Sequence, residues 1–354
     1  MRPYLAEQFY NPSATYTAAR EVRQALETAR AATAHWLGAR TSEIIFTAGG
    51  TEANNLAIHG VMRQFPKANV IVSSIEHESV LRPAHGYDCR EIAVQPDGRL
   101  DLADFHRKLD EHTALVSVGY ANNEIGTIQP LREIAGIITE KRRPRKPGQP
   151  LYFHTDACQA VNYLDLHAAR LGVDLMTLNG GKIYGPKQSG ALYMRAGVEL
   201  EPLIFGGGQE RGLRSGTENV AGAIGFSWAL ELAQAMRRHE GERLGQLQKQ
   251  FIDALQAALP RAVINGSQKH RLPNNVHVTI PGQDNERLLV QLETAGILAA
   301  AGSACSASNQ EPSHVLRALG ISDTAARASL RFTMGRGTTA KALQTTVESL
   351  KHLC

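Results

Sequence analysis

Short apolar segments alternate with longer amphipathic segments along the first two-thirds of the chain. The short segments are rich in β-branched residues and predict strands at residues 44–47, 69–73, 114–120, 151–155, 175–178 and 191–194. Several are apolar throughout, which is typical of strands covered on both faces. Between them lie helical patterns such as the alanine-rich residues 18–37. This alternation predicts an α/β domain with a large, mostly parallel sheet flanked by helices.

The pattern changes beyond Pro260, where a second and smaller domain is predicted. A long helical pattern precedes it at residues 217–259, with a kink or break expected near Gly241 because glycine costs about 1 kcal/mol in a helix. The later segments predict an α+β arrangement, with strands at 263–264, 276–280 and 328–333 and helices at 285–294 and 311–319. We predict a large domain over residues 10–242 and a small C-terminal domain over 243–354, to which residues 1–9 also belong.

Composition narrows the class of protein. The 354 residues suffice for two domains, and 43% hydrophobic with 20% charged residues is typical of a globular chain. No segment approaches the roughly 18 consecutive apolar residues of a membrane helix, and the first residues lack the apolar core of a secretory signal. The four cysteines, Cys89, Cys158, Cys305 and Cys354, are too few for a disulfide framework. These features favour a reducing, cytoplasmic location.

Charge adds little to this picture. The formal net charge of +4 is a mild excess that does not by itself indicate nucleic acid. The dense basic run at residues 141–146 contains no aromatic residue for base stacking and is followed by Pro147 and Gly148. It predicts a solvated loop rather than a nucleic-acid contact. No paired cysteine and histidine spacing of the zinc type occurs, so no metal site is expected.

Three segments carry candidate chemistry, each directly after a predicted strand. Gly50 and Thr51 follow the first strand, which predicts either an anion site made of backbone N–H groups or a tight turn with Thr51 as the helix N-cap. Asp156 ends another strand, as a ligand-binding carboxylate or as a cap on the next helix. Lys182 lies in a glycine-rich turn and is a candidate for a desolvated, reactive amine.

Together these groups match the needs of pyridoxal phosphate (PLP). An amine bonds to its aldehyde, a carboxylate keeps its pyridine nitrogen protonated, and backbone amides hold its phosphate.

The chain resembles the cysteine desulfurases of the NifS/IscS type, in the class V aminotransferase-like group of fold-type I PLP enzymes. The resemblance covers nearly the whole length and rests on SIEHESV at 74–80, ANNEIGT at 121–127, HTDACQ at 154–159, NGGK at 179–182, ERGLRSGT at 210–217, AGSACSA at 301–307 and LRFTMGR at 330–336. It implies a large domain with a mostly parallel, seven-stranded sheet flanked by helices. It also implies a smaller C-terminal α+β domain that carries Cys305.

The resemblance implies roles for individual residues at the cofactor. His77 would stack on the ring, Asn123 would contact the phenolic oxygen, and Gln159 would lie near that oxygen. Asp156 would pair with the pyridine nitrogen, and Lys182 would hold the cofactor covalently. The other residues predicted to bind it are Gly50, Thr51, Asn179, Gly181 and Thr217. Thr217 would reach the phosphate in the neighbouring subunit, which implies a homodimer with shared sites.

The substrate implied by the resemblance is L-cysteine. Its carboxylate would lie on Arg331, with Asn123 also in the substrate site, and Lys182 would move its α-proton with help from His77. Cys305 would attack the substrate sulfur, leaving alanine and a persulfide on Cys305. An iron–sulfur scaffold or a tRNA-thiolation protein would accept the sulfur.

The cysteines differ in what surrounds them along the chain. Small residues flank Cys305, which suits a nucleophile that must reach its substrate and then present the product. Cys89, Cys158 and Cys354 have no such surroundings, and we interpret them as structural residues or as residues without a role in catalysis.

Two departures from the family pattern leave alternatives open. The family usually has Ser-x-His-Lys where this chain has Asn179-Gly180-Gly181-Lys182, and we expect the amides of Gly180 or Gly181 to replace the histidine at the phosphate. The family's opening strand, which lines the substrate pocket, has no counterpart before a helix predicted at residues 2–9. The alternatives are a selenocysteine lyase or other PLP lyase or transaminase, and a non-catalytic partner subunit.

Overall fold

The computed structural model describes residues 1–146, 148–302 and 312–354. These residues form two compact units. The first comprises Met1–Ile92, Leu102–Tyr120 and Pro130–Met236, and the second comprises Ala93–Asp101, Ala121–Gln129 and Arg237–Cys354. This division differs from the predicted one in three respects: residues 1–9 belong to the first unit, residues 93–101 and 121–129 belong to the second, and the second unit resumes at Arg237. There, Met1 packs so closely on Gly225 that a Cβ on that glycine would lie 2.5 Å from the methionine sulfur.

A seven-stranded sheet forms the centre of the first unit. Its strands are β1 (Ile44–Thr47), β2 (Asn69–Ser73), β3 (Asp88–Ile92), β4 (Thr113–Ser117), β5 (Tyr152–Asp156), β6 (Leu175–Asn179) and β7 (Gly190–Met194). The spatial order is β1-β7-β6-β5-β4-β2-β3. Strand β7 runs antiparallel to both of its neighbours, β1 and β6, and the other neighbouring pairs of this sheet are parallel. The prediction of a mostly parallel sheet is therefore confirmed.

Helices connect and flank these strands. They are α1 (Arg2–Ala6), α2 (Thr17–Leu37), α3 (Gly50–Met62), α4 (Glu78–Ala84), α5 (Leu102–Lys108), α6 (Leu131–Arg142) and α7 (Ala168–Leu171). Leu56 and Val61 of α3 lie in one buried apolar cluster with Val70 and Val72 of β2. This packing anchors α3 on the sheet and thereby fixes the position of the turn between β1 and α3.

A long helix, α8 (Val220–Ala258), runs without interruption through Gly241, so the predicted break is wrong. Apolar side chains are fully buried before and after the glycine, among them Phe226 and Phe251. Burying one such side chain contributes about 1.5–3 kcal/mol. That gain exceeds the cost of about 1 kcal/mol that one glycine imposes on a helix.

The second unit contains a three-stranded antiparallel sheet in the order β10-β9-β8. Its elements are β8 (Val263–Ile264), β9 (Asn275–Thr279), α9 (Asn285–Thr294), α10 (His314–Ala318), α11 (Asp323–Ala326), β10 (Ser329–Thr333) and α12 (Ala340–Leu353). Strands and helices are therefore mixed here, as the α+β prediction requires. In the described part of the chain, no helix is both long and apolar enough to cross a membrane.

A buried ion pair holds a loop of the first unit against β1. The Arg30 guanidinium donates to both carboxylate oxygens of Glu210, over 2.7 and 2.8 Å. The backbone N–H of Phe46 in β1 donates to the same carboxylate at 2.9 Å. Glu210 and Arg211 have φ values of 46° and 60°, in the left-handed region that non-glycine residues rarely adopt. The ion pair thus stabilises a strained loop that leads to Thr217.

The basic run at residues 141–146 is not simply a solvated loop, contrary to the prediction. Arg142 forms an ion pair with Asp174 and donates to the Leu151 carbonyl at 2.7 Å. Arg145 donates to the Thr113 carbonyl at 2.6 Å. Both arginines therefore tie the end of α6 and the turn after it to residues at the starts of β4, β5 and β6.

Candidate active site

The predicted cofactor residues of the first unit follow strands that point the same way. Because β7 is antiparallel to both β1 and β6, strand β1 runs in the same direction as β6, β5, β4 and β2. Their carboxyl ends therefore lie at one edge of the sheet, where open α/β sheets bind ligands. This edge carries Gly50 and Thr51 after β1, His77 after β2, Asp156 and Gln159 at the end of β5, and Asn179, Gly181 and Lys182 at the end of β6.

The glycine turn after β1 packs directly on the ends of β5 and β6. A Cβ on Gly50 would lie 2.7 Å from Cys158 Sγ and 3.4 Å from the Cβ of Asn179, so a larger residue would displace them. The N-cap of α3 is Gly49, at φ 138°, and Thr51 is an exposed residue inside the first turn. The interpretation of Thr51 as the N-cap is therefore wrong. The turn instead leaves backbone N–H groups at the start of a 13-residue helix, as an anion site requires.

Asp156 has a donor on each carboxylate oxygen. The N–H of Cys158 donates to Oδ1 at 2.9 Å, and Asn54 Nδ2 donates to Oδ2 at 2.7 Å. Asp156 caps no helix, because turns follow it as far as residue 164 and the next helix begins at Ala168. The capping interpretation is thus wrong, and the half-buried carboxylate is held firmly at the sheet edge.

Two buried acidic groups lie beside Asp156. Burial raises the pKa of the Cys158 thiol well above its ordinary value, with the Asp156 charge adding to the effect and the Lys182 charge opposing it. Burial likewise raises the pKa of the Glu76 carboxyl to about 8, again with a contribution from Asp156. Glu76 accepts a hydrogen bond from the Gly119 N–H at 2.8 Å. Burial thus favours the protonated form of both Glu76 and Cys158 beside the Asp156 carboxylate.

His77 is the N-cap of α4 and is linked to Asp156 through two other side chains. Its Nδ1 accepts from the Ser79 N–H at 3.1 Å and lies 2.8 Å from Ser79 Oγ. Asn54 Nδ2 lies 2.9 Å from the same hydroxyl oxygen. Sequence reasoning missed Asn54 and Ser79, although both lie within segments it singled out. Only the tertiary contacts between α3, α4 and β5 reveal them.

The turn that bears Lys182 uses its own amides internally. The Gly181 N–H donates to Asn179 Oδ1 at 3.0 Å, and the Gly180 N–H donates to the Ser189 carbonyl at 2.9 Å. Both amides therefore have acceptors within the protein, and their place at the phosphate stays a prediction. The Lys182 side chain is exposed rather than desolvated in the single chain.

The remaining predicted residues are distributed between the two units. Gln159 is half-buried, three residues after Asp156, and Thr217 is exposed in the loop before α8. In the second unit, the Arg331 guanidinium on β10 donates to the Asn123 carbonyl at 3.0 Å. Cys305 lies outside the described residues.

The buried guanidinium of Arg331 is not fully hydrogen-bonded within the described residues. Burial lowers the pKa of its guanidinium, an effect that the charge of Glu124 opposes. Among the described residues, no acceptor faces its buried Nε. Such a group is suited to bind a carboxylate from a ligand, since arginine pairs with carboxylates through two parallel hydrogen bonds.

The residues at the sheet edge fit PLP. The close approach of Gly50 to β5 and β6 leaves no room for a side chain, while the helix start behind it suits a phosphate. Asp156, fixed by two N–H donors, suits a protonated pyridine nitrogen, and Lys182 is the amine predicted to bond to the cofactor's aldehyde.

Comparisons with known proteins agree with this geometry. The model of the family "Aminotransferase class-V" matches residues 1–344. "Cysteine desulfurase IscS" of Dictyoglomus turgidum is 41% identical over 360 residues, covering all of this chain and 89% of that protein. "Cysteine desulfurase IscS 1" of Archaeoglobus fulgidus is 40% identical, covering 95% of this chain and 87% of that protein. A solved structure titled "NIFS-LIKE PROTEIN" superposes with a TM-score of 0.91 at 30% identity, covering 99% and 93% of the two chains. The chain therefore belongs to the class V aminotransferase family.

Proposed function

We infer that this chain is a PLP-dependent cysteine desulfurase that converts L-cysteine to L-alanine and retains the sulfur as a persulfide on Cys305. The observation that carries this proposal is the Asp156 carboxylate. It is held by Asn54 at the carboxyl edge of the sheet and lies next to the Gly50 turn. The relatives described above bear the name of this activity. None of the contacts at this edge favours a selenocysteine lyase, a transaminase or a non-catalytic subunit over it.

The cofactor brings the electronic chemistry, and the protein binds and orients it. PLP, when bound, would supply an electron sink for the bonds at the α-carbon of the substrate. Asp156 holds the proton on the pyridine nitrogen, and His77 covers the ring. Lys182 carries the cofactor at rest and afterwards moves the substrate's α-proton. Gly50 and Thr51 supply backbone N–H groups to the phosphate.

The sulfur step belongs to Cys305. Its thiolate attacks the substrate sulfur, so that an S–S bond forms and the substrate C–S bond breaks. The electron pair of that bond goes to the substrate carbon, which takes up a proton to give alanine. Arg331 binds the substrate carboxylate throughout, supported by its buried guanidinium and its contact with Asn123. Reduction of the persulfide by a thiol, or its transfer to an acceptor protein, regenerates the Cys305 thiol.

A homodimer is part of the proposal and would complete the site. Tyr184, two residues after Lys182, is 59% exposed, and Trp228 of α8 is 61% exposed. The turn and the helix touch, because a Cβ on Gly185 would lie 2.9 Å from the Cβ of Ala229. A second copy that covers these aromatic side chains would also desolvate Lys182, and its Thr217 would reach the phosphate.

The acceptor of the sulfur is proposed to be an iron–sulfur scaffold or a tRNA-thiolation protein. We place the enzyme in the cytoplasm, because a thiolate nucleophile must be kept reduced between turnovers.

The experiment mixes purified protein, PLP and L-cysteine under reductant and measures sulfide and alanine together. Equal yields of the two are expected. Cys305→Ala should abolish both, and Cys354→Ala is the matched control that should retain them. Pyruvate in place of alanine, or full activity in Cys305→Ala, would refute the proposal in favour of another PLP lyase.

A further inference from the structure

Asn54 and Ser79 connect the two predicted cofactor contacts of the first unit, Asp156 and His77. Asn54 Nδ2 lies 2.7 Å from Asp156 Oδ2 and 2.9 Å from Ser79 Oγ. Ser79 Oγ in turn lies 2.8 Å from His77 Nδ1. The four side chains therefore form one hydrogen-bonded chain, which we call the Asn54 bridge.

The chemistry of its ends fixes the direction of the hydrogen bonds. An ionised carboxylate only accepts, so the Asn54 atom that faces Asp156 must be its nitrogen. The second hydrogen of that nitrogen goes to Ser79 Oγ, which leaves the hydroxyl hydrogen for His77 Nδ1. The Ser79 N–H also points at Nδ1, over 3.1 Å. Because two donors face this nitrogen, it keeps its lone pair, and the ring proton of neutral His77 is on Nε2.

The two central residues of the bridge, Asn54 and Ser79, are buried in the first unit. Asn54 is 1% exposed, and its Oδ1 has no hydrogen-bond partner within the described residues. A buried amide oxygen without a partner costs free energy, so an apolar side chain would be more favourable here if the position served packing alone. The contribution of the Asn54 amide at this position is therefore the two hydrogen bonds that its Nδ2 donates, to Asp156 and to Ser79.

We propose that Asn54 and Ser79 are positioning residues for the PLP chemistry, which set the tautomer of His77 and tie its orientation to that of Asp156. This inference rests on the proposed function, because its consequence is for the cofactor between these two groups. Neither residue needs to touch the cofactor itself. Asn54 acts on the charge of Asp156, and Ser79 acts on the ring nitrogen of His77.

The first measurement reads the tautomer directly. The ¹⁵N shifts of the His77 ring are recorded by NMR in the full chain with and without PLP and assigned through the signal missing in His77→Gln. Wild-type protein should show an unprotonated Nδ1 and a protonated Nε2. In Ser79→Ala and Asn54→Ala the backbone N–H of residue 79 still faces Nδ1 but the hydroxyl donor is lost or no longer held, so the fraction of rings protonated on Nδ1 should rise above the wild-type fraction. Asn55→Ala is the matched control, because Asn55 is half-buried on the same helix and its side chain donates to the Thr51 carbonyl within α3, not to the bridge.

The second measurement reads the effect on Asp156. The visible absorption band of the PLP-loaded protein is titrated with pH. Its midpoint should shift by about one pH unit in Asn54→Ala, the size expected when a charged acceptor loses one donor. Asn55→Ala should keep the wild-type midpoint.

The proposal is overturned by a wild-type His77 with its proton on Nδ1, or by tautomer and midpoint both unchanged in the two bridge variants. If Asn54→Ala does not fold, the proposal is still tested by the wild-type tautomer and by Ser79→Ala, which removes only one hydroxyl group. A wild-type protein that shows the expected tautomer but no visible band with PLP would refute the proposed function and leave the bridge intact.

Discussion

Replacing Arg30 by methionine tests whether its buried ion pair with Glu210 stabilises the fold of the first unit. The two side chains are 4% and 3% exposed, and the guanidinium binds both carboxylate oxygens. Methionine keeps much of the apolar length of arginine but removes the charge and the donors. The Glu210 carboxylate would then remain buried without its guanidinium partner.

The expected loss follows from this burial. Removing one partner of a buried ion pair costs about 3–5 kcal/mol, because the other charge stays out of water and uncompensated. The lost hydrogen bond from Arg30 to the Ile44 carbonyl, 3.1 Å long, contributes in the same direction. Arg30→Met should therefore lower the free energy of unfolding by about 3–5 kcal/mol.

The assay is urea unfolding of the full chain followed by circular dichroism. The matched control is Arg82→Met, since Arg82 pairs with Glu78 at 2.6 Å on the surface, with side chains 74% and 41% exposed. An exposed pair of this kind contributes about 0.3–0.5 kcal/mol. The double variant Arg30→Met/Glu210→Leu should recover only part of the loss, because it removes the unpaired buried charge but leaves the Phe46 N–H without its acceptor. Equal losses in Arg30→Met and Arg82→Met would refute the reasoning.

Two further predictions concern the sheet edge. A Cβ on Gly181 would meet nothing closer than Asn179 Oδ1 at 3.5 Å, so Gly181→His should fit. It should lower the Kd for PLP about tenfold by adding a contact to the phosphate, whereas Gly181→Ala should not. An unchanged Kd in an absorbance titration would contradict this. Burial raises the pKa of Glu76 from 4.5 to about 8, so within this window the folded chain holds a proton that the unfolded chain has released. The thermal stability of the wild type should therefore fall as pH rises through the window, and that of Glu76→Gln should fall less. Parallel pH profiles of the two proteins would count against the buried acid.

The predictable part of the fold is the part with a strong local pattern. The apolar strands were found because burial on both faces leaves a continuous apolar segment. β3 was missed because it is a polar strand at the sheet edge, with only Ile92 fully buried. The break predicted at Gly241 was wrong because local propensity does not include the burial of Phe226 and Phe251.

The site was predictable where a residue type stands directly at a strand end. Asp156 and Lys182 were found in this way, and their roles stay proposals. Glu76 and the Asn54 bridge depend on contacts between separate elements, which no spacing in the sequence encodes. The acceptors of the Gly180 and Gly181 amides could not be predicted for a related reason. An amide's acceptor, here the Ser189 carbonyl for Gly180, is set by the folded backbone.

The central claim is that the Lys182 amine carries the cofactor, and chemical trapping tests it most directly. Borohydride added to the PLP-loaded protein makes the bond between cofactor and amine permanent, and peptide mapping by mass spectrometry then locates it. The account predicts the label on Lys182 and its loss in Lys182→Ala. A label on the nearby Lys187, or no label at any lysine, would contradict the account.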